Sequence, residues 1–201
     1  MKKTILILSI TLTFSLYPQE EKVSDGPFKQ LIIRGATLIN GNGSPPIGPV
    51  DIVVENNIIK SIINVGYPGV EINEKRRPKL IDGGKEIDAF GMYVLPGFID
   101  MHGHIGGGPQ GADPDYVFKL WMGHGITTVR EPSGRGIDFS VDLKNKSLKN
   151  EIIAPRIKVY SSFGSGFGKE ISSPEEARQW VRLNAKKGAD GIKFFGADPE
   201  I

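Results

Sequence analysis

Tyr93-Val94-Leu95-Pro96-Gly97-Phe98-Ile99-Asp100-Met101-His102-Gly103-His104 carries most of the structural information in this chain of 201 residues. Tyr93 to Met101 is a nearly continuous apolar run, which predicts a strand buried on both faces as in a parallel sheet. His102 and His104 follow it directly. Alternate residues of a strand point to the same side, so both imidazoles face one point, about 6 to 7 Å apart at Cα, and can share a metal ion. Imidazole is a common zinc ligand, and the C-terminal ends of barrel strands are where catalytic groups collect. Gly103 and the following Gly106-Gly107-Gly108 leave room for a substrate.

Downstream, helices and strands alternate. Asp113-Pro114-Asp115 starts a helix with a capping Asp and a first-turn Pro, with Tyr116, Val117, Leu120 and Trp121 on one face. Ile126 to Arg130 is the next strand, Ile137 to Lys149 holds a weaker helix, and Arg156 to Tyr160 reads as a third strand. Ser173-Pro174-Glu175-Glu176 is a capping box ahead of Ala177, Trp180, Val181 and Ala185, and Lys186-Lys187-Gly188 closes that helix. Ile192 to Phe195 is a fourth strand, completing β-α-β-α-β-α-β, the order of a parallel sheet with crossover helices. Asp198-Pro199-Glu200 repeats the helix-start pattern three residues from the last, Ile201. A closed (β/α)₈ barrel needs about 250 residues, so the chain reads as a fragment of a longer protein.

Upstream, Leu31 to Ile39 and Val50 to Val65 are rich in Ile and Val, and Glu55-Asn56-Asn57-Ile58 has the asparagines of a tight hairpin. This predicts a small antiparallel β unit, with loops over Gly41 to Pro46 and much of Gly66 to Lys85. Lys2 and Lys3, an apolar run from Ile5 to Leu16 and polar Gln19 to Lys22 have the grammar of a secretory signal peptide, too short for a stable membrane helix. The mature protein is then secreted or periplasmic, without a stable membrane span. With 25 basic and 23 acidic residues, and neither sign in a long block, nothing points to a nucleic-acid surface. The absence of cysteine excludes disulfides, thiolate metal sites and a cysteine nucleophile.

Val94 to His104 resembles the motif of the amidohydrolase superfamily, an apolar Pro-Gly-Phe-Ile-Asp strand ending in His-x-His. Gly125-Ile126-Thr127-Thr128-Val129-Arg130 is similar to the family's second strand, and the strands from Leu31 to Val65 look like its N-terminal β-sandwich. Within the family the chain looks more like the imidazolonepropionase and Xaa-Pro dipeptidase branch than the N-acetylglucosamine-phosphate deacetylases. The resemblance implies an α/β fold: the N-terminal part of a (β/α)₈ TIM-like barrel with about four strands, plus a small β-sandwich portion. The chain then divides into a signal peptide (1–19), a β-sandwich portion (28–92) and the first half of the barrel (93–201).

The same resemblance implies a hydrolase of amide, cyclic amide or dipeptide-type C–N bonds that uses a metal-activated water, acting on a small molecule or short peptide. One or two divalent ions, zinc foremost, are held by His102, His104 and a lysine carrying CO₂ as a carbamate at the end of strand four, where Lys193 stands. Burial beside metal lowers a lysine pKa and allows carboxylation, after which the group acts as a carboxylate. The family's further histidines and its general-base aspartate fall beyond residue 201, so this fragment alone is expected to be inactive. Arg130 and Glu131 end strand two on the rim as substrate-contact candidates, and Asp100 reads as a local hydrogen-bonding group. His124 reads as a helix-end residue outside the ligand set. A homo-oligomer is compatible with the sequence. Two other readings stay open: an inert truncated remnant, and an esterase or lactonase on the same scaffold.

Overall fold

Asn56 and Asn57 turn the chain back on itself with φ of 47° and 68°, the left-handed pair that a two-residue hairpin needs. They join β2 (Ile47–Glu55) to β3 (Ile58–Asn64), and β1 (Gln30–Leu38) runs antiparallel along the other side of β2. The computed structural model describes residues 25–107, 111–132 and 136–196. The signal segment read over 1–19 and the helix start at Asp198 lie outside the described residues.

Gly35, with φ of 71°, falls where the β1–β2 register shifts between Ile33 and Ala36. Before it, β1 pairs in parallel with β4 (Lys85–Asp88), and after it with β5 (Tyr93–Val94). The N-terminal sheet is therefore mixed, where the hairpin pattern alone predicted an antiparallel unit. Buried Asp51 holds the bend: Oδ1 accepts the Gly35 N–H at 2.8 Å, and Oδ2 lies 2.8 Å from Arg34 Nη1 and 3.5 Å from Arg77 Nε.

The strand expected from Tyr93 to Met101 is in fact two strands in two sheets, β5 and β6 (Phe98–Asp100). Leu95-Pro96-Gly97 separates them. Pro96 has no N–H to give a ladder. At Gly97 a Cβ would stand 2.0 Å from Thr127 Oγ1, so only glycine lets the chain cross this closely.

Beyond β6 the order is α1 (Pro114–Gly123), β7 (Ile126–Pro132), α2 (Ile137–Leu148), β8 (Arg156–Ser162), α3 (Pro174–Lys187) and β9 (Gly191–Lys193). β6, β7, β8 and β9 pair in that sequence, each parallel to the next, as the α/β barrel reading requires. The Asp113 side chain accepts the Asp115 N–H and Ser173 accepts that of Glu176, with Pro114 and Pro174 in the first turns. Ile105, Phe118, Val129, Ile157 and Val159 form the core of this layer, and Trp121 and Phe139 pack against them.

Burial departs from the sequence pattern in two ways. On α1 it is Phe118 that is fully buried, while Tyr116 and Leu120 are 62% and 44% exposed; on α3 the buried side chains are Trp180 and Asn184, and Val181 is exposed. The apolar stripes are wider than the surface the sheet covers. Phe98, Ile99 and Met101 are 59 to 61% exposed, so β6 is not buried on both faces. Among the described residues β6 lies at one side of the four-stranded order β6-β7-β8-β9.

Asp190 ties α2 to the turn that enters β9. Its Oδ2 accepts from Lys144 Nζ at 2.7 Å and from the Val159 N–H at 2.9 Å, and Lys158 Nζ lies 3.5 Å from Oδ1. Partial burial pushes its pKa up, but the bonds from Lys144 and Val159 and the charges of Lys144 and Lys158 outweigh it, leaving a net lowering. A carboxyl depressed in the folded state stabilises above its unfolded pKa of about 3.9 and loses that contribution as pH falls through the folded value. Asp190→Asn is predicted to lose about 1 to 2 kcal/mol at pH 7 in urea unfolding, with the gap to the parent closing below about pH 4.

Candidate active site

Parallel pairing brings the C-terminal ends of β6, β7, β8 and β9 to one edge of the sheet. His102 and His104 leave β6 there. Asp100 Oδ1 accepts the His102 N–H at 2.9 Å, the local role read for it in the sequence. Gly103 donates its N–H to the Arg130 carbonyl at 3.1 Å and so stays pinned to β7 beyond the end of the regular ladder. It is buried so tightly that a Cβ would meet Val129 Cγ2 at 2.6 Å and Trp121 Cζ2 at 2.8 Å. The flanking imidazoles are exposed, and their rings stand edge to face with centroids 5.5 Å apart.

Behind them lies Glu131, near the end of β7 and completely buried. Its Oε1 is 3.6 Å from His104 Nδ1, and Oε2 accepts from Ser140 Oγ of α2 at 3.3 Å. The sequence placed Glu131 on the substrate rim. The structure sets it instead on the helix-facing side of β7, where the alternation of a strand also places core residue Val129. That two-residue period was the signal available in the sequence.

Arg130 falls on the opposite face of β7, its guanidinium carbon 4.7 Å above the ring of Tyr160 on β8. Close approach at Gly191, where a Cβ would lie 2.4 Å from Tyr160 Cε1, lets that ring lie along β9. Lys193 ends β9 opposite Ser162, with Nζ 5.2 Å from the centroid of Phe195. It shares an edge of the sheet with the imidazoles, and β7 and β8 lie between them. His124 caps α1, its Nδ1 2.7 Å from the Leu120 carbonyl, and stands outside the pair. Among the described residues no three His, Cys, Asp or Glu side chains gather into a metal site.

The donor set suits a divalent ion in part: two neighbouring imidazoles, one with a carboxylate on its Nδ1 side, is the pairing found around zinc ligands. Two imidazoles are fewer than the three protein ligands that a catalytic zinc takes.

No family model matches the chain. It is 37% identical over 129 residues to a dihydroorotase of Thermoanaerobacter sp. strain X514, a match covering 64% of this chain and 25% of that protein. A D-hydantoinase of Streptomyces coelicolor is 23% identical over 177 residues, covering 85% of this chain and 34% of that protein. Among solved structures, a Xaa-Pro dipeptidase with methionine bound in its active site matches 82% of this chain and 46% of its own, with a TM-score of 0.54 and 24% identity. This last is a likeness of fold. The chain spans about a quarter to a third of the length of these curated relatives.

Gly103→Ala is predicted to cost about 1 to 3 kcal/mol of stability, because Val129 and Trp121 belong to packed layers that yield little. Denaturant unfolding checks it; a midpoint equal to the parent's would show that the two side chains move aside freely.

Proposed function

Because the chain belongs to the amidohydrolase superfamily, we propose that it forms part of a metal-dependent hydrolase of amide, cyclic amide or dipeptide C–N bonds, with His102 and His104 as ligands. The carrying observation is the exposed pair itself, two imidazoles 5.5 Å apart at the end of a parallel strand. The substrate class is supported by relatives named as a dihydroorotase and a D-hydantoinase. When bound, a divalent ion such as zinc supplies Lewis-acid polarisation of the scissile carbonyl and lowers the pKa of an attacking water.

The chain's own residues then have separate tasks. His102 and His104 supply neutral nitrogen donors. Lys193, at the same edge of the sheet, supplies an oxygen donor once its amine has taken up CO₂, and in doing so exchanges a positive charge for a negative one. Arg130 stands over the ring of Tyr160 and offers a guanidinium suited to holding a substrate carboxylate. We also propose export: Lys2, Lys3 and the apolar run Ile5 to Leu16 form a signal peptide. Among the described residues no helix is long and apolar enough to cross a membrane.

The test is elemental analysis of the product of the complete reading frame containing this chain, after dialysis against metal-free buffer. One or two zinc ions per chain are expected, falling sharply in His102→Ala and in His104→Ala. Metal content unchanged by loss of both histidines would sink the proposal. Mass spectrometry of the exported protein is expected to find its N-terminus beyond Leu16; an intact Met1 would refute export.

A further inference from the structure

We propose that Glu131 is a positioning residue for the metal centre: it holds the hydrogen of His104 on Nδ1, so that Nε2 is the nitrogen offered to the ion. The inference rests on the reading of His104 as a ligand. A carboxylate that is completely buried is costly unless its oxygens are used. Oε2 takes the hydroxyl of Ser140, itself buried on α2, and Oε1 stands 3.6 Å from His104 Nδ1.

An ionised carboxylate only accepts hydrogen bonds, so it favours N–H on the ring nitrogen that faces it. The lone pair of a neutral imidazole then lies on Nε2, on the far side of the ring from Glu131. The separation of 3.6 Å is longer than a formed hydrogen bond, so the contact acts through the orientation of the two groups and their charges. Glu131 is not a third ligand, since no three His, Cys, Asp or Glu side chains gather among the described residues.

The experiment uses the product of the complete reading frame, stripped of metal and labelled with ¹⁵N in histidine. Long-range ¹H–¹⁵N correlation reads the tautomer of His104, assigned by its loss in His104→Gln, and competition with a chromophoric chelator reads zinc affinity. The parent is expected to carry N–H on Nδ1 of His104. Glu131→Leu is expected to abolish that preference, leave the His102 signals in place and weaken zinc binding about 10- to 100-fold. Glu131→Gln keeps a carbonyl acceptor, so it is expected to retain the tautomer while weakening zinc by about tenfold.

N–H on Nε2 of His104 in the parent, with zinc bound normally, would overturn the inference and leave the hydrolase reading standing. Failure of the parent to bind zinc at all would overturn the hydrolase reading instead. Should Glu131→Leu not fold, the parent's tautomer and the affinity of Glu131→Gln still decide, because zinc binding unchanged in the latter also overturns the role.

Discussion

Everything at the candidate site depends on one close contact, the passage of Gly103 against Val129 and Trp121. The backbone there bonds to the Arg130 carbonyl and leaves no room for a side chain. Because the chain is pinned at that point, the residues on either side cannot drift, and their imidazoles stand together while the glycine is swallowed by the core. A histidine pair on a free loop would have to pay the entropy of meeting each time it bound an ion; one fixed by a packed glycine has already been ordered by folding.

The same economy of space recurs at Gly97 and Gly191. At the first, the chain leaves the N-terminal sheet and crosses Thr127 to begin β6; at the second, β9 passes under the ring of Tyr160. Each lies at a joint: Gly97 between the two sheets, Gly103 between β6 and the histidines, Gly191 at the start of the strand that carries Lys193. Asp190 reinforces the last of these joints, clasping α2 to the turn before β9, and Asp51 holds the separate bend at Gly35 across which β1 pairs with both β4 and β5. Position at the site is thus set by short-range sterics at glycines and by buried or half-buried carboxylates behind them.

Local features were legible in the sequence because their causes are local. Asn56-Asn57 dictates its turn through the φ values these residues tolerate, and the caps Asp113 and Ser173 satisfy free N–H groups within three residues of themselves. The two histidines were visible for the same reason, as a spacing at a strand end. What could not be read was decided by partners distant in sequence. The run Tyr93 to Met101 carries no mark that its first residues pair with Thr37 and Leu38 while its later ones pair with Ile126 to Val129. The apolar faces of α1 and α3 likewise give no measure of how much of each the sheet covers. Glu131 was visible as a strand-end acid, but its burial depends on Ser140 arriving from α2.

This division bears on the chemistry. An ion held by two imidazoles alone is under-coordinated, since zinc in catalytic sites takes three protein ligands and a water. Where the ligand number is short, the orientation of those present matters more, because each nitrogen has to offer its lone pair without first rearranging. A neutral imidazole can place its hydrogen on either nitrogen, and only one of the two tautomers of His104 leaves Nε2 available. A carboxylate buried on the Nδ1 side selects that tautomer before any ion arrives, and the hydroxyl of Ser140 keeps the carboxylate from turning away. The helix layer that covers the sheet also carries Ser140 against the Glu131 carboxyl, so the placing of that carboxyl beside His104 is tied to the packing of α2.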